Sequence, residues 1–478
     1  MTASPGSRLT NLKWLRMVAM IALLALIAAA CGSDDADVTE ETTDEVTTPA
    51  DDETEDETET ETEDAATETE EDETETEAPT GDGEALAMAY LLPETGRLAF
   101  LGPPIIAGFN LAIEEINEAG GTNGAEVTSG GGDEGESDGT IANQTVDRLL
   151  ADDVNVIIGA ASSGTSLTVI DKITGAGVVQ CSPSNTSPTF TNIEDDGLYF
   201  RAAPTDALQG PVLAEQLVAA GGTNVAVLAL ADDYGQGLLA ATEDALTEAG
   251  ATIAVATTYD PAAQSFDAEV QQIVESGADA VALISFNEGA RILQTMIERG
   301  VGPQDLIVFG ADGLAGNAIP LDTAPNNPQV LVGMRTTSPT PASDVDFNDA
   351  LSASTPGLSD TLFAAEGYDC TIAAALAAHA GGANTSEAVA ENMVAVTGAP
   401  GTKCTTFAEC KDLLDDGEEI DYDGPSGPMD FTDAGEPSQG TYALQEFQEA
   451  GDECPENDDT GEPFEVCLVT IEQITSSL

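Results

Sequence analysis

Val154-Asn155-Val156-Ile157-Ile158-Gly159-Ala160-Ala161-Ser162-Ser163-Gly164-Thr165-Ser166 is the stretch that decides the fold. Its first half is a short apolar run, interrupted only by Asn155. A run of this length and character fits a β-strand buried on both faces. Its second half changes to small hydroxyl residues and glycine, which turn the chain and start a helix. A buried strand, a short polar loop and then a helix is the unit from which parallel sheets are built.

The same step recurs along the chain. Apolar runs at 86–93, 177–182, 225–231, 252–259, 278–286 and 305–310 read as strands. Between them lie helical patterns. Ile106, Ala107, Phe109, Leu111, Ala112 and Ile116 share one helix face that stops near Gly120-Gly121, and Phe266, Val270, Ile273 and Val274 share another that stops at Gly277. The roughly 395 residues after position 83 exceed what one such sheet needs, so two domains are expected. In open α/β sheets a ligand lies beyond the carboxyl ends of the strands. The loops at those ends are polar and distinctive: Cys181-Ser182-Pro183-Ser184-Asn185-Thr186-Ser187-Pro188, Asp232-Asp233-Tyr234-Gly235-Gln236-Gly237 and Ala311-Asp312-Gly313, besides 161–166.

With these loops the chain resembles the branched-chain amino acid binding class of type I periplasmic binding proteins, the substrate-binding components of ABC importers. The resemblance rests on Leu91-Leu92-Pro93-Glu94-Thr95-Gly96, Ala112-Ile113-Glu114-Glu115-Ile116-Asn117-Glu118-Ala119-Gly120-Gly121, Ile157-Ile158-Gly159, 182–188, the stretch from Phe200 to Gly210, Asp233-Tyr234-Gly235 and Phe309-Gly310-Ala311-Asp312-Gly313. It spans about residues 86–447, with the motifs in order. It implies two doubly wound parallel-sheet α/β lobes joined by three crossovers, near 204–209, 334–337 and 439–442. The first lobe would combine 84–205 with 335–440, and the second 206–334 with 441–478.

The resemblance also implies a ligand set in the interlobe cleft. An α-amino acid is a zwitterion and needs donors for its carboxylate, an anion for its ammonium and a pocket for its side chain. Ser163 and Thr186 would supply hydroxyl and N–H donors to the carboxylate, Ser163 with the help of its helix N-terminus. Ser184 would offer its carbonyl to the ammonium, Asp312 its carboxylate and Tyr234 a hydroxyl and a wall. Each residue type has a plainer use as cap, turn or packing residue. Leu101 and Phe286 correspond to positions lining the ligand side chain, with Tyr368 approaching from the first lobe. Leu101, where an aromatic is common, implies a wider and more apolar pocket. ABC permease and ATPase subunits would be separate chains. Two rival readings use the same fold: a binder of short amides, urea or aromatic acids, and a ligand sensor without a transport role.

Charge and chain ends set the surroundings. The formal net charge is -76, from 88 acidic residues against 12 Lys and Arg. That balance excludes nucleic acid as a partner and excludes a basic lipid-docking patch. Residues 32–83 hold 25 of the acids and no base, a Thr/Glu/Asp tract expected to be a disordered tether. The rest of the charge, about -54, falls on the body and reads as a solvated acidic surface of the kind adapted to salt. Arg8, Lys13 and Arg16 precede an apolar run that ends in Ala28-Ala29-Ala30-Cys31-Gly32-Ser33. This resembles a lipoprotein signal spanning 1–31, although Ala28 stands where an aliphatic residue is usual. It implies a lipid on Cys31 and an exported protein anchored at the extracytoplasmic face of the membrane.

Six cysteines then remain, and they allow fifteen connectivities. Cys404–Cys410 would staple one loop, and Cys454–Cys467 would close a hairpin. Cys181–Cys370 is the residual pair, with free buried thiols the alternative. The acidic stretch 133–139 has Gln144 where a calcium loop needs its twelfth-position acid, so it reads as a surface loop and no metal or cofactor is expected. A single histidine, His379, in an Ala-rich helix and no nucleophile–base pair argue against an enzyme.

Overall fold

The expected strand at 154–160 forms as β3 (Val156–Gly159) in a sheet with β1 (Ala87–Leu92), β2 (Thr128–Asp133), β4 (Val179–Ser182) and β5 (Tyr199–Arg201). The computed structural model describes residues 84–136, 138–340, 345–451, 454–457 and 460–477. The expected signal, Cys31 and the acidic tract 32–83 lie outside them. All pairings in this first sheet are parallel, in the order β2-β1-β3-β4-β5. Ile157 sits opposite Ala89 and Gln180, and Ile158 opposite Tyr90 and Cys181. Both isoleucines are fully buried, and they join different apolar clusters because successive side chains leave opposite faces. Each contributes roughly 1.5–3 kcal/mol of burial.

The second sheet repeats the arrangement with β6 (Asn224–Leu230), β7 (Thr252–Tyr259), β8 (Ala280–Ile284), β9 (Ile307–Gly310) and β10 (Arg335–Pro339). A small sheet of β11 (Thr402–Cys404), β12 (Ile420–Gly424) and β13 (Gly427–Pro428) sits apart from it. The chain then returns to the second sheet with β14 (Gln439–Glu449) and β15 (Val466–Ser477), giving the order β15-β14-β10-β9-β8-β6-β7. Only β14 runs against its neighbours, pairing antiparallel with both β10 and β15. The result is a two-lobe α/β protein with largely parallel sheets. In each lobe the chain reverses its winding between the first strand and the third, at β1/β3 and at β6/β8. The loops leaving those strands form the two sides of the cleft.

One expected boundary moves. The crossover expected near 334–337 would assign residues from 335 on to the first lobe. Instead β10 is hydrogen-bonded to β9, Arg335 opposite Phe309, and to β14, Thr337 opposite Leu444. The chain therefore leaves the second sheet only after Pro339. The first crossover lies between β5 and the helix Asp206–Ala219, and the third just before Gln439.

All three cysteine pairs are bonded. Cys181–Cys370 ties β4 to the buried helix Ala364–Ala380 across 5.9 Å between Cα atoms, Cys404–Cys410 closes a short loop, and Cys454–Cys467 joins the chain before β15 to that strand. His379 has a structural place. Its Nε2 lies 3.0 Å from Asp415 Oδ1, and its Nδ1 accepts the N–H of Asn123 at 3.3 Å.

Candidate functional site

The loop after β3 begins at a glycine that no other residue could replace. Gly159 has φ 126°, and a Cβ there would lie 1.9 Å from the Leu91 carbonyl oxygen. Ser162 caps the helix Ser163–Gly175, its hydroxyl accepting the Thr165 N–H at 3.3 Å. Capping therefore falls to Ser162, and Ser163 is the first helical residue. The Ser163 hydroxyl accepts the Ser187 N–H at 3.4 Å and stands beside the helix N-terminus, where the backbone favours an anion.

Beneath this loop lies a residue that sequence reading placed on the surface. Glu134 is fully buried, and its carboxylate accepts the N–H groups of Ala161 at 2.5 Å and Ser162 at 3.0 Å. Burial pushes its carboxyl up to about 8, against the pull of those two donors. The acidic stretch therefore includes an internal brace for the loop. Nothing local marks it, because its partners lie 27 and 28 residues away.

The loop after β4 is fixed from behind. Ser184 Oγ donates to the Ala161 carbonyl at 3.1 Å, and Asn185 Nδ2 donates to the carbonyls of Ala160 and Ala161 at 3.1 and 2.9 Å. Arg201 Nη1 donates to the Asn185 and Ser187 carbonyls at 3.0 and 2.8 Å, while its own charge meets Glu436 in a buried ion pair. Thr186 is buried and is not among the residues lining the cavity between the loops. Its carbonyl accepts the Asp206 N–H at 2.7 Å, which joins this loop to the first crossover.

The second lobe presents an acid held by two donors. Asp312 Oδ1 accepts the Tyr234 hydroxyl and the Gln209 amide, each at 2.9 Å, and the same Gln209 nitrogen also reaches the Thr337 carbonyl at 3.0 Å. Burial raises the Asp312 carboxyl to about 6, although the Tyr234 and Gln209 bonds oppose the rise. Tyr234 stacks on Phe286, with ring centroids 5.4 Å apart and planes 9° apart. Gly313 lets this loop pack close, since a Cβ there would lie 2.3 Å from the Ser285 carbonyl oxygen. A second buried acid, Asp206, lies near Asp312 at the start of the crossover helix. Burial first and Asp312 next push its carboxyl well above the usual carboxylate range. Asp206 and Gln209 stand in the stretch that signalled a crossover, but their contact with the site depends on the folded hinge.

Ser163, Ser184, Tyr234, Asp312, Leu101 and Phe286 thus line one cavity, together with Leu98, Ala161, Ser162, Gly313 and Phe363. It holds about 10 Å³, room for about one water. Leu98 and Phe363 stand beside Leu101 in its lining. The cleft is closed in this arrangement, and entry of a larger ligand requires the lobes to part. Arg97 spans the opening, 2.6 Å from Glu136 of its own lobe and 3.7 Å from Glu288 of the other. Tyr368 does not reach the cleft. Its hydroxyl donates to Glu115 and its ring packs edge-on against Phe347, 5.4 Å between centroids, so it belongs to the first-lobe core and not to the cleft wall.

Comparison with known proteins adds to this geometry. A family model described as periplasmic binding protein matches residues 86–452. A chemotactic signal transduction system substrate-binding protein, BasB, of Halobacterium salinarum is 28% identical over 389 residues, covering 78% of this chain and 89% of that protein. Leu/Ile/Val-binding protein homolog 1 of Brucella suis is 27% identical over 313 residues, covering 63% of this chain and 80% of that protein. The leucine binding protein LivK of Thermotoga maritima superposes with a TM-score of 0.65 at 19% identity, covering 82% of this chain and 99% of its own.

Proposed function

Since the chain belongs to the periplasmic binding protein family, we propose that it is an extracytoplasmic solute-binding lipoprotein that captures an α-amino acid, branched-chain or related, between its lobes for an ABC permease and ATPase. The observation that carries this reading is the opposition of two kinds of group across one cavity. Ser163 and its helix N-terminus stand on the first-lobe side as donors for a carboxylate. Asp312, held by Tyr234 and Gln209, stands on the second-lobe side as an anion for an ammonium. A zwitterion satisfies both sides at once. The aliphatic wall of Leu98 and Leu101, with the Tyr234–Phe286 stack, suits an apolar side chain. Closing such lobes on a ligand is a hinge motion.

A second reading, a ligand sensor without a transport role, is favoured by the likeness to the chemotactic protein BasB. Both readings share the same cleft chemistry. A thermal-shift screen of the full chain against Leu, Ile, Val and related amino acids, short amides, urea and aromatic acids tests that chemistry. Amino acids are expected to raise the melting temperature by mass action. A shift with amides or aromatic acids and none with amino acids would overturn the reading. Capture of leucine-loaded protein by the permease complex in a vesicle uptake assay separates transport from sensing.

A further inference from the structure

Behind the hinge lies a second cavity of about 280 Å³, much larger than the free volume of the cleft. Ala202, Pro204 and Met429 line it from the first-lobe side, and Pro339, Thr441 and Thr475 from the second. It therefore touches the chain at all three crossovers. One ionisable side chain faces it, Glu366 on the helix Ala364–Ala380. Glu366 is 3% exposed, and its Oε2 has no hydrogen-bond partner. A buried carboxyl oxygen without a partner is costly and calls for a donor.

We propose that this hinge cavity is a binding site for a small organic cation, a primary ammonium with a short apolar body, whose charge is received by Glu366. The walls suit such a ligand. Three N–H donors of an ammonium find the Glu366 carboxylate and threonine oxygens, and its carbon chain finds the proline rings and Met429. A hard metal ion is a poorer occupant, because it needs six or more oxygen ligands and only one carboxylate faces the cavity. The acidic body also concentrates cations at its surface.

Burial raises the Glu366 carboxyl to about 8, with Asp369 on the same helix adding to the rise. Asp369 is itself engaged by the Tyr422 hydroxyl at 2.7 Å and the Ser426 N–H at 2.8 Å. No other titratable side chain among the described residues lines the cavity. The entering ammonium therefore takes the place of the Glu366 proton. Because both lobes contribute walls, an occupant biases their relative placement, and the cleft and the hinge site alter each other's affinity by the same factor.

The test is isothermal titration of the full chain with n-butylammonium chloride at constant ionic strength, with n-butanol and potassium chloride as controls. The expected result is saturable binding of butylammonium alone, tightening roughly 10-fold from pH 7 to pH 9 as Glu366 ionises. Glu366→Gln should lose at least tenfold in affinity. Thr475→Phe, a change at an exposed strand position that fills the mouth, should do the same with the melting temperature unchanged. Absence of saturable binding, equal binding by n-butanol, equal affinity in Glu366→Gln, or an affinity that does not rise with pH would overturn the proposal. Leucine titration of the same variants reads the cleft separately, so failure at the hinge and failure of the cleft reading are distinct results.

Discussion

Asp312→Asn is expected to make the protein more stable and a poorer amino-acid binder at once. The substitution keeps an oxygen where Oδ1 stands, so the Tyr234 hydroxyl and the Gln209 amide retain their acceptor. What changes is the charge. Burial lifts the Asp312 carboxyl from 3.8 to about 6, so the folded protein holds this proton more tightly than the unfolded chain. Folding then takes up a proton between those two values. Stability from this group is present at low pH, falls as pH rises from about 4 to 6, and stays lost above that window. This is the reverse of an aspartate held by a salt bridge. The shift corresponds to about 3 kcal/mol at neutral pH. Asparagine cannot ionise and recovers that amount, worth roughly 3–4 °C in melting temperature for a body of this size.

Binding moves the other way. Removing one partner of a buried charge pair costs about 2–5 kcal/mol, or roughly 30-fold in Kd at the least. The paired assay is leucine titration by calorimetry together with thermal melts of the unliganded protein, wild type against variant, at pH 7.5. Tryptophan fluorescence does not serve, because the single Trp14 lies in the expected signal. Wild-type affinity in the variant would refute the ammonium role of Asp312. A lower melting temperature would refute the cost assigned to its charge.

Ser163→Ala should weaken leucine roughly 10- to 150-fold by removing a hydroxyl bond to a charged group. It should leave the melting temperature nearly unchanged, since Ser162 holds the cap; a melt lowered by more than a few degrees would show a structural role instead. Glu134→Gln sets an amide nitrogen against one of the two N–H groups of Ala161 and Ser162, at about 1–3 kcal/mol. Both melting temperature and leucine affinity should fall, and unchanged affinity in calorimetry would show that the loop needs no brace. Lowering potassium chloride from molar to millimolar concentration should lower the melting temperature, because repulsion within a body of about -54 charges is then less screened. A melting temperature independent of salt would refute the surface reading.

Legibility in the sequence followed the locality of each signal. The strands read as continuous apolar runs appear within about two residues of their expected bounds; most are buried on both faces, which leaves little choice of residue, while β7 at the sheet edge is only partly buried. β2, Thr128–Asp133, gave no such signal. Its middle is Gly130-Gly131-Gly132, and the glycines are there for their neighbours. A Cβ at Gly131 would meet the Tyr90 ring at 2.3 Å, and one at Gly132 the Arg148 side chain at 2.5 Å. That strand is specified by what lies on it. β10 lacks a signal for its lobe for a related reason. Its threonines, serine and single proline carry no lobe label, and only pairing with β9 and β14 decides its side. Ser163, Ser184, Tyr234 and Asp312 stood out because each follows a recognisable strand. Glu134, Asp206 and Gln209 act through partners distant in the chain, and no spacing rule finds them. Tyr368 lies on the helix Ala364–Ala380, near whose end His379 marks an Ala-rich stretch in the sequence, but the rotation of that helix against Glu115 is set by the fold and not by local sequence.

The acidic body and the buried acids bear differently on what the cleft can select. Surface charges are screened over about 8–10 Å at ordinary ionic strength and over less at high salt, so they discriminate weakly between ligands already at the cleft. Asp312 and Asp206 are buried and escape that screening. An aromatic acid brings a carboxylate for Ser163 but nothing for Asp312, and must leave that carboxyl either protonated or unpaired. A short amide brings a donor for Asp312 but no anion for the helix N-terminus beside Ser163. On the proposed amino-acid reading a zwitterion alone meets both ends with charge. On that reading Asp312, whose burial costs stability in the unliganded protein, would be the group that separates an amino acid from its rivals, and that cost would be recovered when the ammonium binds.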